Sequence, residues 1–187
     1  MDKKQLILGT ALNLFAENGF HGTATSKIAS EAGIANGTLF NYFKTKEELI
    51  VAIYHSILKE MDDFIIERMV SHSISKESFG SLFESTLTWS LENPIHHHYL
   101  QQFIYSPYFN LVDSTIESKE SHPLFVLIKN GIDLVLIKSM PVLFIHSLFT
   151  SQINGLYYYI LSNDLSSEKQ LLLIQETFEM FWKMIEE

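Results

Sequence analysis

One stretch of this sequence, from Gly19 to Leu49, constrains the fold more than any other because it divides into two short helices joined by a tight turn. Thr23 is predicted to cap the first of them, since its hydroxyl can accept a hydrogen bond from an otherwise unpaired backbone N–H. Gly33 can adopt the left-handed conformation that ends a helix, and the second helix is predicted from about Asn36. The apolar residues predicted to face the core are Ile28, Ala29, Ala32, Leu39 and Phe43.

The second helix of this stretch leaves polar side chains on its outer face. Because its apolar residues are spaced four apart, the remaining residues point away from the core. These are Asn36, Thr38, Asn41 and Tyr42. Two short helices around a glycine turn, the second of which presents small polar and aromatic side chains, form a helix-turn-helix that can enter a DNA major groove.

The same stretch resembles the DNA-binding domain of the tetracycline-repressor (TetR/AcrR) family of bacterial transcriptional regulators. The resemblance covers the first quarter of the chain, where the residues match the family pattern in order and spacing. The remainder agrees with the family in length and helical layout only. The matching residues are Gly19-Phe20, Thr23, Ile28-Ala29, Ala32-Gly33, Gly37-Thr38-Leu39-Phe40, Tyr42-Phe43, and Lys46 with Glu47 to Leu49.

The resemblance also implies roles on DNA for individual residues. It implies that Thr38, Tyr42 and Lys46 contact phosphates, for which a hydroxyl, a phenol and an ammonium are suitable donors. Base contacts are expected from both short helices. An asparagine can bond an adenine edge, a lysine a guanine, and a phenylalanine can touch a thymine methyl group. The residues expected at the bases are Thr25, Ser26, Lys27, Ala35, Asn36, Phe40 and Asn41.

The distribution of charge favours the same division of roles, although the whole chain has a net charge of −9. Residues 1–46 contain five lysines and three acidic residues (net +2), whereas residues 47–187 contain eight basic and 19 acidic residues (net −11). The positive surface is therefore expected on a DNA-binding head attached to an acidic body. With a charge of only +2, non-specific attraction to phosphate should be weak and easily screened by salt.

Several other classes of protein are disfavoured by composition. The chain has no cysteine, which excludes disulfides and thiolate chemistry. No apolar run approaches the roughly 20 residues that a membrane span needs. Asn13 interrupts the apolar segment that follows Lys3-Lys4, and that segment has helical spacing, so it is predicted as a first helix rather than a signal peptide. The protein is predicted to be cytoplasmic.

An all-α chain of about nine helices is predicted, because apolar residues recur at helical spacing and no convincing strand pattern occurs. Residues 1–46 are predicted to form a three-helix head, and residues 47–187 a helical body for effector binding and dimerisation. The helix from about Lys46 to Val70 is predicted to be one long rod, so that a movement of the body would swing the head. The other helices are predicted at about 2–18, 76–92, 121–138, 141–162 and 166–187. A further helix is predicted to begin at Asn93-Pro94 and to end by Pro107, followed by a loop or short helix at 108–120.

The last two predicted helices carry apolar stripes spaced three and four residues apart, as in helices that pack along a partner. Ser151 and Gly155 add a pair of small residues that permits close backbone approach. Packing within one subunit and a two-fold four-helix bundle both explain the stripes; the resemblance implies the second, in a homodimer. The predicted interface residues are Phe149, Ile153, Leu156, Ile160, Leu171, Ile174, Phe178, Phe181 and Ile185.

The body is rich in aromatic residues, which can be ordinary core or can line a pocket between helices together with a few polar groups. His146 lies in an apolar context, so it can be either a hydrogen-bonded core residue or a ligand contact. The resemblance implies a small-molecule effector, expected to be hydrophobic or aromatic. The predicted pocket residues are Trp89, Phe103, Tyr108, Phe125, His146, Phe149, Asn154, Tyr157 and Tyr158.

No catalytic chemistry is predicted. His96-His97-His98 cannot converge on a metal ion, because consecutive helical residues point about 100° apart. No further histidine or carboxylate lies three or four residues from them in the predicted helix. The sequence patterns of serine hydrolases, zinc proteases and phosphate-binding loops do not occur. The protein is therefore predicted to be no enzyme, and to need neither a metal nor a cofactor.

Together these features predict a homodimeric, sequence-specific DNA-binding regulator. Its two heads would bind an inverted-repeat operator, and a small-molecule ligand that prefers a different spacing of the heads would release it as a repressor. Two alternatives remain open. One is a DNA-binding regulator with no small-molecule effector, and the other is a non-regulatory helical binding protein with a vestigial head.

Overall fold

The computed structural model describes residues 2–69, 73–112 and 122–187. These residues form nine α-helices and one short 3₁₀-helix, which confirms the predicted all-α class. Within these ranges, every helix is too short or too polar to span a bilayer. The α-helices are α1 (Lys3–Gly22), α2 (Thr25–Glu31), α3 (Asn36–Tyr42), α4 (Lys46–Arg68), α5 (Lys76–Glu92), α6 (Pro94–Ile104), α7 (Pro123–Asp133), α8 (Val142–Ser162) and α9 (Ser167–Ile185), and the 3₁₀-helix is Pro107–Leu111.

Two predicted helix boundaries differ from the observed ones. Helix α1 breaks at Gly19 as predicted (φ 72°, ψ 167°), but one further helical turn continues to Gly22. The helix predicted to reach Lys138 ends at Asp133. Part of the segment predicted as a loop or short helix, 108–120, belongs to the 3₁₀-helix Pro107–Leu111. Residues 70–72 and 113–121, on which other predicted boundaries fall, lie outside the described residues.

Helix α7 ends early because its last carbonyls are taken up by the loop that follows. The N–H of Leu136 donates to the carbonyl of Gly131 at 2.9 Å, which closes the helix end in the manner of a Schellman motif. The next residues turn to the end of the chain, where the N–H of Lys138 donates to the carbonyl of Ile185 at 2.7 Å. The loop between α7 and α8 is thus tied to the end of α9.

The chain packs as two compact units, Met1–Glu60 with Asn93–Ser114 and Met61–Glu92 with Thr115–Glu187. Helix α6 belongs to the first unit because it packs on α1, and its Tyr99 hydroxyl donates to the carbonyl of Ile50 in α4 at 2.8 Å. The predicted division at residue 46 concerns function and stays a prediction; the packing boundary lies elsewhere.

The core of the first unit is aromatic. Phe20 contacts Phe15 and Tyr99 edge-to-face, with ring centroids 5.5 and 5.3 Å apart. Such pairs add about 0.5–1.5 kcal/mol each beyond the area that they bury. Burial raises the pKa of Tyr99, so its hydroxyl stays protonated as the donor to Ile50. This cluster fixes α6 on α1 and so supports the short helices that follow α1.

The second unit has a separate core between α5, α8 and α9. Phe83 lies edge-to-face with Phe149 at 5.3 Å and is stacked with Phe181 at 6.3 Å. Helices α5 and α9 approach closely at Gly80, where a Cβ atom would lie 3.2 Å from the ring of Phe178. The aromatic stripes of α8 and α9 are therefore filled from within the same subunit, which bears on the predicted dimer interface.

Candidate nucleic-acid interface

The turn between α2 and α3 has the geometry that its glycine predicts. Gly33 has a φ of 65°, in the left-handed region. Its N–H donates to the carbonyl of Ser30 at 3.0 Å, and the N–H of Ile34 donates to that of Ala29 at 2.9 Å. These bonds close the end of α2 and set the direction in which the chain enters α3.

Both short helices are anchored on one face only. In α2, Ile28 and Ala29 are at most 2% exposed, and in α3 Leu39 is fully buried, followed by Phe43 at 2%. Since side chains three or four residues apart share a face of a helix, the opposite faces of α2 and α3 are turned to solvent. The predicted core residues of this stretch are thus confirmed, including Ala32 at 7%.

The residues predicted to contact DNA are at least partly accessible. On α3, Asn36 and Asn41 are exposed. Phe40 and Tyr42, which a solvated helix would rarely leave open, are 36% and 39% exposed. Ser26, Lys27 and Ala35 are also exposed, whereas Thr25, Thr38 and Lys46 are partly buried. This face has hydroxyl, amide, phenol and ammonium groups, which suit phosphates and base edges; the role of each residue stays a prediction.

Helix α4 begins with a reciprocal cap that the sequence analysis did not identify. The N–H of Glu48 donates to the Thr45 hydroxyl at 3.0 Å, and the Glu48 carboxylate accepts the N–H of Lys44 at 2.7 Å. This is a variant of the capping box that a threonine followed three residues later by a glutamate can form, in which the carboxylate bonds the N–H one residue before the threonine. It fixes the start of α4, where the Lys46 ammonium lies 5.9 Å from the centre of the Phe15 ring.

Thr23 does not cap α2, which corrects the prediction. The N-cap position is occupied by Ala24, whose side chain makes no capping bond. The Thr23 side chain is fully buried, and its hydroxyl donates to the carbonyls of Leu14 and Gly19, at 3.1 and 2.9 Å. The break at Gly19 leaves carbonyls of α1 that need a donor, and Thr23 supplies one.

Replacing Thr23 by valine should therefore lower the free energy of unfolding by about 1–3 kcal/mol, mainly through loss of the donor to the Gly19 carbonyl, because the Leu14 carbonyl keeps the Asn18 side chain as a donor. Urea denaturation followed by circular dichroism measures the change. Thr23→Ser, which keeps the hydroxyl, should lose clearly less. Equal stability of Thr23→Val and the unchanged protein would show that these bonds contribute nothing.

The residues predicted to line a ligand pocket do not form one group. Phe103 and Tyr108 belong to the first unit. Phe103 is stacked on Tyr54 with centroids 4.2 Å apart, and Tyr108 lies edge-to-face with Phe20 at 5.4 Å. Phe103 is fully buried. These two rings are part of the packing that holds α6 and the 3₁₀-helix on the first unit, and they do not form the wall of a pocket.

The other seven predicted pocket residues lie in the second unit, in different environments. Trp89, Phe149 and Tyr157 are at most 4% exposed, and Phe149 packs in the aromatic core already described. Tyr158 is half exposed, and its ring lies 5.3 Å from that of Tyr157. Asn154 is partly buried. Phe125 and His146 lie beside a group of polar side chains of the kind that a ligand site needs.

That group joins residues from three helices. The rings of Phe125 and His146 lie 4.7 Å apart, and the ring of His122 is 6.3 Å from that of His146. His122 Nδ1 accepts the N–H of Leu124 at the start of α7, and its Nε2 lies 3.3 Å from Oδ1 of Asp62 in α4. Burial lowers the pKa of His122 to about 4, so the ring is neutral near pH 7.

Sequence reasoning missed His122 and Asp62. They are far apart in the chain and match no motif, so only the packing of α4, α7 and α8 brings them to Phe125 and His146. The single signal available was a histidine directly before the proline that opens a helix, a place where a side chain can accept a backbone N–H.

The three consecutive histidines of α6 have three different surroundings. His97 is buried, which lowers its pKa to about 4. His96 Nε2 lies 3.7 Å from a carboxylate oxygen of Glu60, and His98 Nε2 lies 2.7 Å from the side-chain nitrogen of Gln102. In the part of the chain that the structure describes, no three histidine or acidic side chains are grouped to hold a metal ion.

The apolar stripes predicted for a dimer interface point into the subunit, which corrects the choice of residues. The reason is that α5 lies against α8 and α9 and covers these faces with its own aromatic rings. Phe178 is partly buried, and Leu171 alone among the nine is exposed, at 51%. The buried ones, at most 8% exposed, are Phe149, Ile153, Leu156, Ile160, Ile174, Phe181 and Ile185.

The opposite face of α8 carries the other predicted signature of an interface. Ser151 and Gly155 are exposed, and a Cβ atom at Gly155 would meet nothing within 4 Å. On the same face, Phe144 is 49% exposed and Tyr158 50%. On α9, Leu172 and Met180 are exposed by 54% and 59%. The outward face thus combines small residues in the middle of α8 with large apolar residues towards its ends.

The fold and the exposed face of α3 define a helix-turn-helix protein of the nucleic-acid-binding type, joined to a second helical unit. A sequence model described as bacterial regulatory proteins, tetR family, matches residues 7–53. Over the whole chain, the fold matches a protein from Shewanella sp. PV-4 assigned to the tetR family of transcription regulators, with a TM-score of 0.88, 29% identity and 100% of both chains covered. Residues 7–53 therefore form a domain of the tetR family of bacterial regulatory proteins, and the whole chain has the fold of a protein assigned to that family.

Two further similarities concern proteins with more specific names. The fatty acid metabolism regulator protein of Bacillus subtilis is 42% identical over 67 residues, which is 36% of this chain. The match covers 32% of that regulator, and the chain spans about a third of the first curated relatives that it matches. The transcriptional regulator FadR of Bacillus subtilis, in complex with stearoyl-CoA, shares the fold, with a TM-score of 0.75, 19% identity and coverage of 95% and 96%.

Proposed function

We propose that this chain is a cytoplasmic, sequence-specific DNA-binding transcription regulator that acts as a repressor. The observation that carries the proposal is the outer face of α3, where Asn36, Asn41 and two aromatic side chains stay exposed over a fully buried Leu39. An exposed phenylalanine and tyrosine beside two amides are poorly explained as a solvated surface and well explained as a surface that reads base pairs. Seven residues leave α3 short enough to enter a major groove end-on.

The partner that completes such a protein is a second copy of the chain. The outward face of α8 and α9 offers close approach at Ser151 and Gly155, with exposed Phe144, Tyr158 and Met180 around it. A two-fold axis would place these residues against their own copies in a four-helix bundle. Two heads fixed in this way would bind half-sites about one helical turn apart, so the operator should be an inverted repeat.

Release of the operator by a small hydrophobic or aromatic molecule is the second part of the proposal. In the described part of the second unit, Asp62, His122 and His146 form a group of polar side chains beside the Phe125 ring, the combination that a small-molecule site uses. Asp62 lies on α4, whose residues up to Glu60 belong to the first unit. A ligand that displaced Asp62 would therefore act on a helix that continues into the head. It would shift the balance between a DNA-binding state and a released state by the difference in its affinity for the two.

A long acyl thioester is one compound to test as the effector. The name of the Bacillus subtilis fatty acid metabolism regulator and the stearoyl-CoA bound to FadR favour it. A panel containing stearoyl-CoA and neutral aromatic compounds should include one member that raises the melting temperature of the protein and lowers its affinity for the operator. If compounds from both groups change neither quantity, the regulator with no small-molecule effector is the better description.

Selection of bound sequences from a random DNA pool tests the DNA-binding proposal, and two variants test the assignment of residues. The selected sites should contain an inverted repeat. Lys46→Ala should weaken binding to all sequences alike and reduce the slope of log K against log salt by about one unit. Asn41→Ala should change the preferred base at one position, at a cost of about 1–3 kcal/mol for the original site.

Fluorescence anisotropy with the selected site and with a scrambled duplex measures both effects. Ser30→Ala, on an exposed residue of α2 with no predicted DNA contact, is the matched control. Failure to enrich any inverted repeat would favour the helical binding protein with a vestigial head. If an inverted repeat is enriched but Lys46→Ala and Asn41→Ala bind it like the unchanged protein, the roles proposed for these residues of α3 and α4 are wrong.

A further inference from the structure

The end of the recognition helix α3 is flanked by two lysines to which neither the motif nor the family resemblance assigns a role. Lys44 follows Phe43, the last residue anchored in the core, and Lys4 lies in the first turn of α1. Both side chains are exposed. Although they are forty positions apart in the sequence, packing of the first unit brings both to the same end of α3.

The ammonium of Lys44 is held along the last turn of α3. Its Nζ lies 3.4 Å from the carbonyl oxygen of Phe40, four residues earlier. A cation is favoured there because the unpaired carbonyls at the end of a helix carry partial negative charge. An ammonium has three donors, so the bond to Phe40 leaves two of them directed away from the helix.

The ammonium of Lys4 is placed at the same end from the other side. Its Nζ lies 6.0 Å from the centre of the Phe43 ring, within the range of a cation–π contact. The first turn of α1 is itself fixed by Asp2, whose carboxylate accepts the N–H of Lys4 at 3.3 Å. Lys4 therefore approaches α3 from a capped helix.

Two carboxylates are close to these lysines, and both are engaged with backbone groups. Asp2 caps α1, and Glu48 accepts the N–H of Lys44 in the cap of α4. Each is directed to a helix start, where its charge is matched by unpaired N–H groups. The ammonium groups of Lys4 and Lys44 therefore stay available at this edge of the DNA-reading face.

We propose that Lys4 and Lys44 form a two-lysine clamp that binds backbone phosphates of DNA on either side of the C-terminal end of α3. The inference rests on the proposed DNA-binding function and extends it to a contact from α1. The clamp would fix how far α3 enters the groove, without reading sequence, because ammonium groups on phosphates position a protein rather than specify bases. It also places a large share of the small positive charge of the first 46 residues at a single edge.

The salt dependence of binding tests the clamp. The probe is a fluorescein-labelled random duplex of about 30 base pairs, titrated with the full chain at several KCl concentrations, beside the selected operator. Lys4→Gln and Lys44→Gln should each reduce the slope of log K against log salt by about 0.9, and the double variant by about 1.8. At about 0.1 M salt each change corresponds to a loss of affinity of about eightfold, equal for operator and random duplex.

Lys3→Gln is the matched control, because it removes the same charge one residue away, about 100° around α1. Its slope should stay close to that of the unchanged protein, and thermal unfolding of all four variants should be the same within error. Equal slopes for Lys3→Gln and Lys4→Gln, or unchanged slopes for Lys4→Gln and Lys44→Gln, would overturn the clamp. If the unchanged protein itself binds neither duplex, the proposed function fails instead, so the two failures are distinguishable.

Discussion

Replacing Gly155 by glutamate is expected to convert a dimer into a monomer and to reduce operator affinity by about two to four powers of ten. In the proposed dimer the two copies of residue 155 approach each other across the two-fold axis. Glutamate there would bring two carboxylates together in an apolar seam without partners, and each unpaired buried charge costs several kcal/mol. Loss of the second head removes the gain in effective concentration that a linked pair of binding modules has.

The folding of the subunit itself should survive this change. A Cβ atom at Gly155 would meet nothing within 4 Å, and the residue is exposed on α8. Gly9→Glu is the matched control, since Gly9 is also an exposed helical glycine with open space around its Cβ position. Analytical ultracentrifugation should show monomers for Gly155→Glu and dimers for Gly9→Glu. A dimeric Gly155→Glu protein would show that the outward face of α8 is not the seam.

Replacing Phe103 by alanine is expected to lower the free energy of unfolding by about 3–5 kcal/mol, the usual cost of a large cavity in a core. Phe103 is fully buried, stacked on Tyr54 at 4.2 Å and in edge contact with Phe20 and Phe109. This expectation separates two interpretations of the same residue. A wall of a ligand pocket would respond with a change in effector binding and little change in stability.

Urea denaturation followed by circular dichroism measures the loss, and Tyr105→Ala is the control. Tyr105 is 85% exposed two residues along the chain, so its replacement should change the stability by no more than about 0.5 kcal/mol. If Phe103→Ala is as stable as Tyr105→Ala but no longer responds to an effector, Phe103 lines a pocket and its packing role has been overstated.

The helix-turn-helix could be predicted from sequence because its determinants are local. Gly33 has to adopt a positive φ whatever the rest of the chain does, and the spacing of Leu39 and Phe43 decides which side of α3 is buried. The prediction for Thr23 was wrong for an equally physical reason. A threonine before a helix suits an N-cap, but the break at Gly19 left carbonyls of α1 that bind its hydroxyl instead.

The body shows where periodicity stops being informative. A stripe of apolar residues spaced three and four apart indicates that a helix buries one face. It does not indicate which other element covers that face. Helix α5 covers the stripes of α8 and α9 within the subunit, as the contact of Phe83 with Phe149 shows. The pair Ser151 and Gly155, which was predicted to share one interface with the stripes, lies on the other side of α8.

By itself, the sequence determined the elements whose energetics are settled within a few residues: the all-α class, the turn at Gly33, and the polar outer face of α3. Only the tertiary structure decided which apolar faces meet and which distant groups become neighbours. It joined Asp62 to His122, placed Phe103 in a core, and brought Lys4 to the end of α3. The reason is that the free energy of hydrophobic burial depends on the apolar area that is buried and not on which residues cover it. Contacts between residues far apart in the chain are therefore decided by packing and not by the local sequence pattern.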